Sequence, residues 1–163
     1  MGDGSSRMTG VGEASLIVGG GDASLTVGGG DASFTTRGGV ASFSQRGGVA
    51  SLSMGAGEGS FSRRGGDASF SKGGGESCLA TGDAALTTGG GKTSLSIETG
   101  EASLKTRGGE FSLSTGGGVA SITCGGGESS LLAGGGETSL STGDGEATLT
   151  FLGGGESAIM SSG

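Results

Sequence analysis

Residues 19–35 read GGGDASLTVGGGDASFT, two near-copies of a nine-residue unit back to back. Glycine loses more conformational freedom on folding than any other residue, yet the chain holds 44 of them in 163 positions. Between the glycines the residues alternate. Asp22, Ser24 and Thr26 have one parity, and Ala23, Leu25 and Val27 the other. That is the period of a β-strand, whose side chains point to opposite faces in turn. The glycines that bound it supply the backbone angles of a tight corner.

The unit G-G-G-[DE]-A-S-[LF]-[ST]-x then runs almost to the end of the chain. Its large apolar residues are Leu16, Leu25, Phe34, Phe43, Leu52, Phe61, Phe70 and Leu79, nine apart each time. After a step of seven come Leu86, Leu95, Leu104, Leu113, Ile122, Leu131, Leu140 and Leu149, again nine apart, and Ile159 follows after a step of ten. A repeat this regular decides the architecture before any single residue does. One strand cannot bury its own leucine, but stacked strands offer each other identical faces. The expected fold is therefore all-β: a parallel β-solenoid or β-helix of about seventeen strand-plus-corner units over residues 13–163, after a lead segment at 1–12. The core ladder is the Leu/Phe/Ile series from Leu16 to Leu149.

How the strands close is left open by a unit with no superperiod. Two strands per turn make an 18-residue coil, three make a 27-residue triangle, and three intertwined chains make a trimeric β-helix. With strands about 4.8 Å apart these imply lengths of roughly 40, 27 and 80 Å. The step from Leu79 to Leu86, where Gly82 alone replaces a glycine triplet, predicts a sharper corner. Phe151, Leu152, Ile159 and Met160 predict an apolar plug at the tip. Open ends of a stacked sheet invite pairing, so end-to-end assembly is expected.

Composition narrows the function. Hydrophobic residues make up 31 % and the formal net charge is −7, with no Trp, Tyr, Pro or His. An acidic chain disfavours nucleic acid and anionic membranes as partners. No apolar run approaches the roughly 20 residues of a membrane-spanning helix, and no hydrophobic signal segment is visible. Location is undetermined on these grounds, with a virion or extracellular assembly in view. Cys78 and Cys124 fall on opposite parities, so two free thiols are expected rather than a bridge, which fits assembly inside a cell.

Candidate chemistry thins out on inspection. GGGKTS at residues 89–94 lacks the first glycine of a phosphate-binding loop, because Leu86 stands there. The acid follows the glycines directly, as in Gly21-Asp22, which is the wrong spacing for the calcium-binding repeats of secreted toxins. Arg37, Arg46, Arg64 and Arg107 each precede two glycines; they are expected to pair with nearby Asp and Glu rather than with RNA. Without His there is no Ser–His or Cys–His nucleophile. No catalytic, cofactor-binding or metal-binding residues are expected, and no cofactor.

One array remains. Ser24 and Thr26, Ser33 and Thr35, Ser42 and Ser44, Ser51 and Ser53 share the outward parity. Stacked, they form a flat ladder of small hydroxyls, comparable to the Thr-x-Thr ladders of ice-binding solenoids. Ile17, Lys105 and Leu132 interrupt it.

The segment GDASLTVGG at residues 21–29 resembles the strand repeats of phage baseplate spikes and of type VI secretion spike proteins, and GGGDASFTT and GGGETSLST repeat the likeness. Their repeat is nearer eight residues. The resemblance implies a triple-stranded β-helix that pierces membranes mechanically. The leading expectation is thus a non-enzymatic rigid rod, a homo-oligomeric spike, fibre or filament component without stable membrane insertion. The alternative is a solenoid that binds ice or another crystalline surface through its hydroxyl ladder.

Overall fold

The computed structural model describes residues 6–161, which form eighteen strands and, among the described residues, no helix. One sheet stacks β1 (Ser6–Gly10), β3 (Ala23–Val27), β5 (Val40–Arg46), β7 (Glu58–Arg64), β9 (Glu76–Thr81), β11 (Lys92–Ile97), β13 (Glu110–Thr115), β15 (Glu128–Ala133) and β17 (Glu146–Phe151). The other stacks β2 (Ala14–Val18), β4 (Ala32–Thr36), β6 (Val49–Met54), β8 (Asp67–Lys72), β10 (Asp83–Thr88), β12 (Glu101–Thr106), β14 (Val119–Cys124), β16 (Gly136–Thr142) and β18 (Gly155–Ser161). Every pairing is parallel and joins strands one turn apart: Leu25 lies beside Phe43, and Leu113 beside Leu131. The protein is a two-sheet β-solenoid whose regular turn is 18 residues, two nonapeptides. Nine rungs at about 4.8 Å give a rod roughly 40 Å long.

The core lies between the sheets and follows the alternation. Leu25 is fully buried, and Phe34, Leu86, Leu104, Leu113, Ile122 and Leu140 are 1–2 % exposed. Burial at this depth stabilises the fold by about 1.5–3 kcal/mol per side chain. The sheets are one side-chain layer apart: Phe34 and Phe43, on consecutive strands, have ring centroids 6.2 Å apart, and Phe61 and Phe70 are 4.7 Å apart. Gly59 occupies a position that Ala usually holds. A Cβ there would press on the Phe61 ring and the Met54 methyl group, so its absence makes room for both.

The corners show why glycine recurs. The last glycine of each triplet stacks on the corresponding glycine one turn below. Gly118 has φ +100°, and a Cβ on it would overlap the carbonyl oxygen of Gly100. That oxygen accepts a 3.1 Å hydrogen bond from the Val119 amide, so the backbones cannot separate to admit a side chain. The next turn repeats the arrangement, with the Glu137 amide donating to the Gly118 carbonyl at 3.0 Å. Glycine is thus required by conformation and by space together at one position per corner. The middle glycine of the triplet is less constrained: nothing lies within 4 Å of a Cβ built on Gly117, whereas one on Gly116 would press on the Glu98 carbonyl oxygen.

Three irregularities depart from the simple repeat. The stack begins inside the segment read as a lead, because Met8 takes the leucine position and pairs with Leu25; without a glycine triplet before it, the pattern hid the strand. At Gly82 one residue joins β9 to β10, and Phe70 pairs with Leu86, 16 residues on instead of 18. Near the end Leu140 pairs with Ile159. Phe151, Leu152, Ile159 and Met160 are 37 %, 73 %, 59 % and 66 % exposed. The apolar plug expected at the tip is an exposed apolar patch on the last described turn, which no further rung covers among the described residues.

Candidate functional site

Outward side chains form columns because each strand sits in register on the one a turn below. With two strands per turn, consecutive units face opposite ways. The expected single ladder is therefore two. Ser24, Thr26, Ser42 and Ser44 lie on the face of the odd-numbered strands, and Ser33, Thr35, Ser51 and Ser53 on the opposite face. Each face is a grid of small hydroxyls about 4.8 Å apart along the rod and roughly 6.7 Å across it.

The faces differ. On the odd face, Ser24, Ser42, Ser60, Cys78, Ser94, Ser112, Ser130 and Thr148 form one column, and Thr26, Ser44, Ser62, Ser96, Ser114, Leu132 and Thr150 lie in the other. No charged side chain stands in either column between β3 and β17. A shallow groove of about 370 Å³ runs between them from Ser24 to Cys78. The even face carries Lys105 beside Thr87 and Thr123, Ala85 between Ser69 and Ser103, and Ile17 at its lower end, which is 77 % exposed. Hydroxyl grids of this kind offer hydrogen bonds to a regular surface. They carry no base to make any of the hydroxyls a nucleophile.

Acidic residues border each face at the strand starts. Lys92 interrupts the column on the odd side and pairs with Glu110 at 2.9 Å; that hydrogen bond, with the charge of Glu110, raises the Lys92 pKa. It is the only ion pair among the described residues. Arg37, Arg46, Arg64 and Arg107 therefore lack the carboxylate partners expected of them. The stacking explains part of this: register places Arg46 directly beside Arg64, like next to like. Among the described residues no three His, Cys, Asp or Glu side chains are placed to hold a metal ion, and no helix is long and apolar enough to cross a membrane. Cys78 is exposed, Cys124 is buried, and both are free thiols, as their parity required.

The least expected feature is a group of polar side chains inside the core. Gln45, Arg63 and Lys72 are 2 %, 8 % and 4 % exposed. Each lies two residues after its ladder Phe, so parity alone points it inward; attention to arginines before glycine pairs passed over Arg63. Gln45 donates from Nε2 to the Gly30 carbonyl at 2.6 Å, and Arg63 donates from Nη2 to the Gly48 carbonyl in the equivalent place one turn up. Both tie a long side chain to the corner column. Thr36, Thr88, Thr106, Thr115 and Thr142, also buried, occupy the same strand-end position.

Lys72 has the poorest compensation. Its Nζ lies 3.5 Å from the Lys92 carbonyl oxygen, a long contact. Burial lowers its pKa to about 8, against the opposing pull of Glu76 and Cys78. Below pH 8 the ammonium is held in both folded and unfolded chains, and the full burial penalty applies. Between about 8 and 10.5 the native state releases its proton first, the unfolded chain binds more protons, and stability rises with pH. Lys72→Met should remove that rise and stabilise the fold at pH 7 by about 1–3 kcal/mol. Urea melts of both proteins at pH 7 and pH 10 check it: the gap between them should narrow at the higher pH.

Comparison of the chain with family models, with curated proteins and with solved structures finds no match in any of the three.

Proposed function

We propose that the protein acts mechanically rather than catalytically, as a rigid β-solenoid rod that forms part of a spike, fibre or filament. The observation that carries this reading is the unbroken in-register stacking of two nine-stranded sheets. Every interior rung is hydrogen-bonded to a rung above and below, so bending or stretching the rod breaks ladder bonds along a whole edge. The connections are glycine corners of a few residues, leaving no long loop from which to build a recognition or reaction site. Among the described residues the first and last strand of each sheet has a single neighbour, an edge suited to continuation by another chain or another segment. Such a rod should sediment as a defined oligomer or longer assembly at micromolar concentration, and negative-stain images should show straight particles in steps of the roughly 40 Å unit. A strictly monomeric, featureless particle at all concentrations would overturn the reading.

A second reading rests on the odd face. Its columns hold hydroxyls without charge over most of the rod, as recognition of ice or another crystalline surface requires. Thermal hysteresis should then be measurable and should disappear in Ser42→Tyr/Ser60→Tyr/Ser112→Tyr. The same three changes made at Ser51, Ser69 and Ser121 on the even face should leave most of it. No hysteresis in the parent protein would discard this reading and leave the rod untouched.

A further inference from the structure

The two margins of the odd face carry opposite charges, rung by rung. Along the strand starts stand Glu58, Glu76, Lys92, Glu110, Glu128 and Glu146, stacked in register. At the strand ends the same outward parity holds Arg46, Arg64 and Glu98, all exposed. Arg64 and Glu98 border one recess with Ser62 and Ser96, so this margin and the hydroxyl columns share a face. Glu110, Glu128 and Glu146 do the same with Ser112, Ser130 and Thr148. The sign changes at both margins together. β7 opens on Glu58 and closes on Arg64, whereas β11 opens on Lys92 and is followed by Glu98. The two charges of a rung stand roughly 20 Å apart, too far to pair within one chain.

A face whose margins complement each other is matched by a second copy turned 180° about an axis parallel to the rod. That rotation reverses strand direction and keeps the height of each rung. Glu58 then meets Arg64 of the second copy, and Arg64 meets the copy's Glu58. Lys92, already joined to Glu110, meets Glu98. Rotation about the strand direction would instead set start margin against start margin, acid against acid, which is costly. Between the margins no charge is trapped from β3 to β17, and small hydroxyls let the sheets approach closely. Leu132, exposed in its column, would be covered. The face measures roughly 40 by 20 Å, about 800 Å² per partner, the size of a standard stable interface. The even face has rungs of the same kind, Asp31 with Arg37 and Glu101 with Arg107. There, however, Lys105 stands in the column beside Thr87 and Thr123 and would be closed in opposite Ser103, at the cost of a buried charge.

We propose that the odd face is an interface between two copies of this chain, which lie side by side with their rods parallel and pointing the same way. The charged margins set the direction and the rung height, and the hydroxyl columns supply the area. The pair is lateral, so it leaves end-to-end growth possible. It covers the odd columns themselves, and so competes with recognition of a crystalline surface by that face.

The test is sedimentation equilibrium of the full chain over a micromolar concentration range at low salt. Masses of a dimer, or of whole multiples of one, are expected. Ser42→Lys/Ser60→Lys puts cations on the odd columns, close to Arg46 and Arg64 of the second copy, and should abolish the pair. Ser51→Lys/Ser69→Lys on the even face should keep it. Glu58→Arg and Arg64→Glu should each raise the dimer dissociation constant about tenfold by setting like charges together. The double variant Glu58→Arg/Arg64→Glu should recover most of the loss, because the margins match again, and a merely structural role for either residue predicts no such recovery. All these positions are exposed, so circular dichroism should stay that of the parent. End-to-end growth is read separately, as particle length in images. A parent that stays monomeric throughout the range, a dimer indifferent to the odd-face lysines, or a double variant no better than the single ones would overturn the proposal.

Discussion

Gly118→Ala is expected to destabilise the protein by about 3–5 kcal/mol, while Gly117→Ala, one residue away, leaves it unchanged or about 0.5 kcal/mol more stable. The contrast isolates what the corner demands. At Gly118 the backbone has φ +100° and the new methyl group would overlap the Gly100 carbonyl oxygen. Relief by moving that carbonyl breaks its 3.1 Å bond to the Val119 amide. Left-handed strain and steric overlap therefore add. At Gly117 a methyl group meets nothing within 4 Å, and the loss of unfolded-state freedom acts alone. Urea denaturation followed by far-ultraviolet circular dichroism would measure both. Equal effects would mean that glycine is used in these triplets for flexibility and not for space.

Leu104→Ala should cost about 2–5 kcal/mol, and Ile159→Ala less than about 1 kcal/mol. Both occupy the same position of the repeat. Leu104 sits in the middle of the stack at 2 % exposure, with Leu86 and Ile122 above and below it in register, whereas Ile159 on the last turn is 59 % exposed. The cavity at Leu104 cannot collapse, because the sheets on either side are fixed by continuous ladders. In a stack where each rung touches only its neighbours the damage should stay local. Amide exchange is the sharper measurement: β10, β12 and β14 should lose protection, and β4 should keep it. Uniform loss across the chain would show that the solenoid unfolds as one unit.

The inward and outward sets were legible in the sequence because a strand's period is two and the repeat keeps it from Leu16 to Leu149. Parity placed both cysteines correctly, and it would have placed Arg63 and Lys72 inside had it been applied to every residue. The number of strands per turn was not legible. Each nonapeptide presents the same face to any partner, so an 18-residue and a 27-residue coil satisfy the pattern equally, and the choice lies in how corners stack. The division of Ser24 and Ser33 between opposite faces follows from that choice and was hidden with it. The first strand was missed because Met8 stands eight residues before Leu16 with no glycine triplet to mark it. The short step at Gly82 was visible as an anomaly.

Because the chain changes sheet at every corner, its modular currency is the pair of nonapeptides and not the single one. Excision of residues 110–127 would join Gly109 to Glu128, the same junction that Gly109 makes with Glu110, and shorten the shaft by one rung with both flanks preserved. Excision of nine residues would instead transpose everything downstream: each later segment would land on the other side, and Lys105-like intrusions would exchange places with clean hydroxyl rows. A lineage that lengthens or trims such a shaft is thus held to even numbers of units, which makes it a ruler graduated in steps of about 4.8 Å.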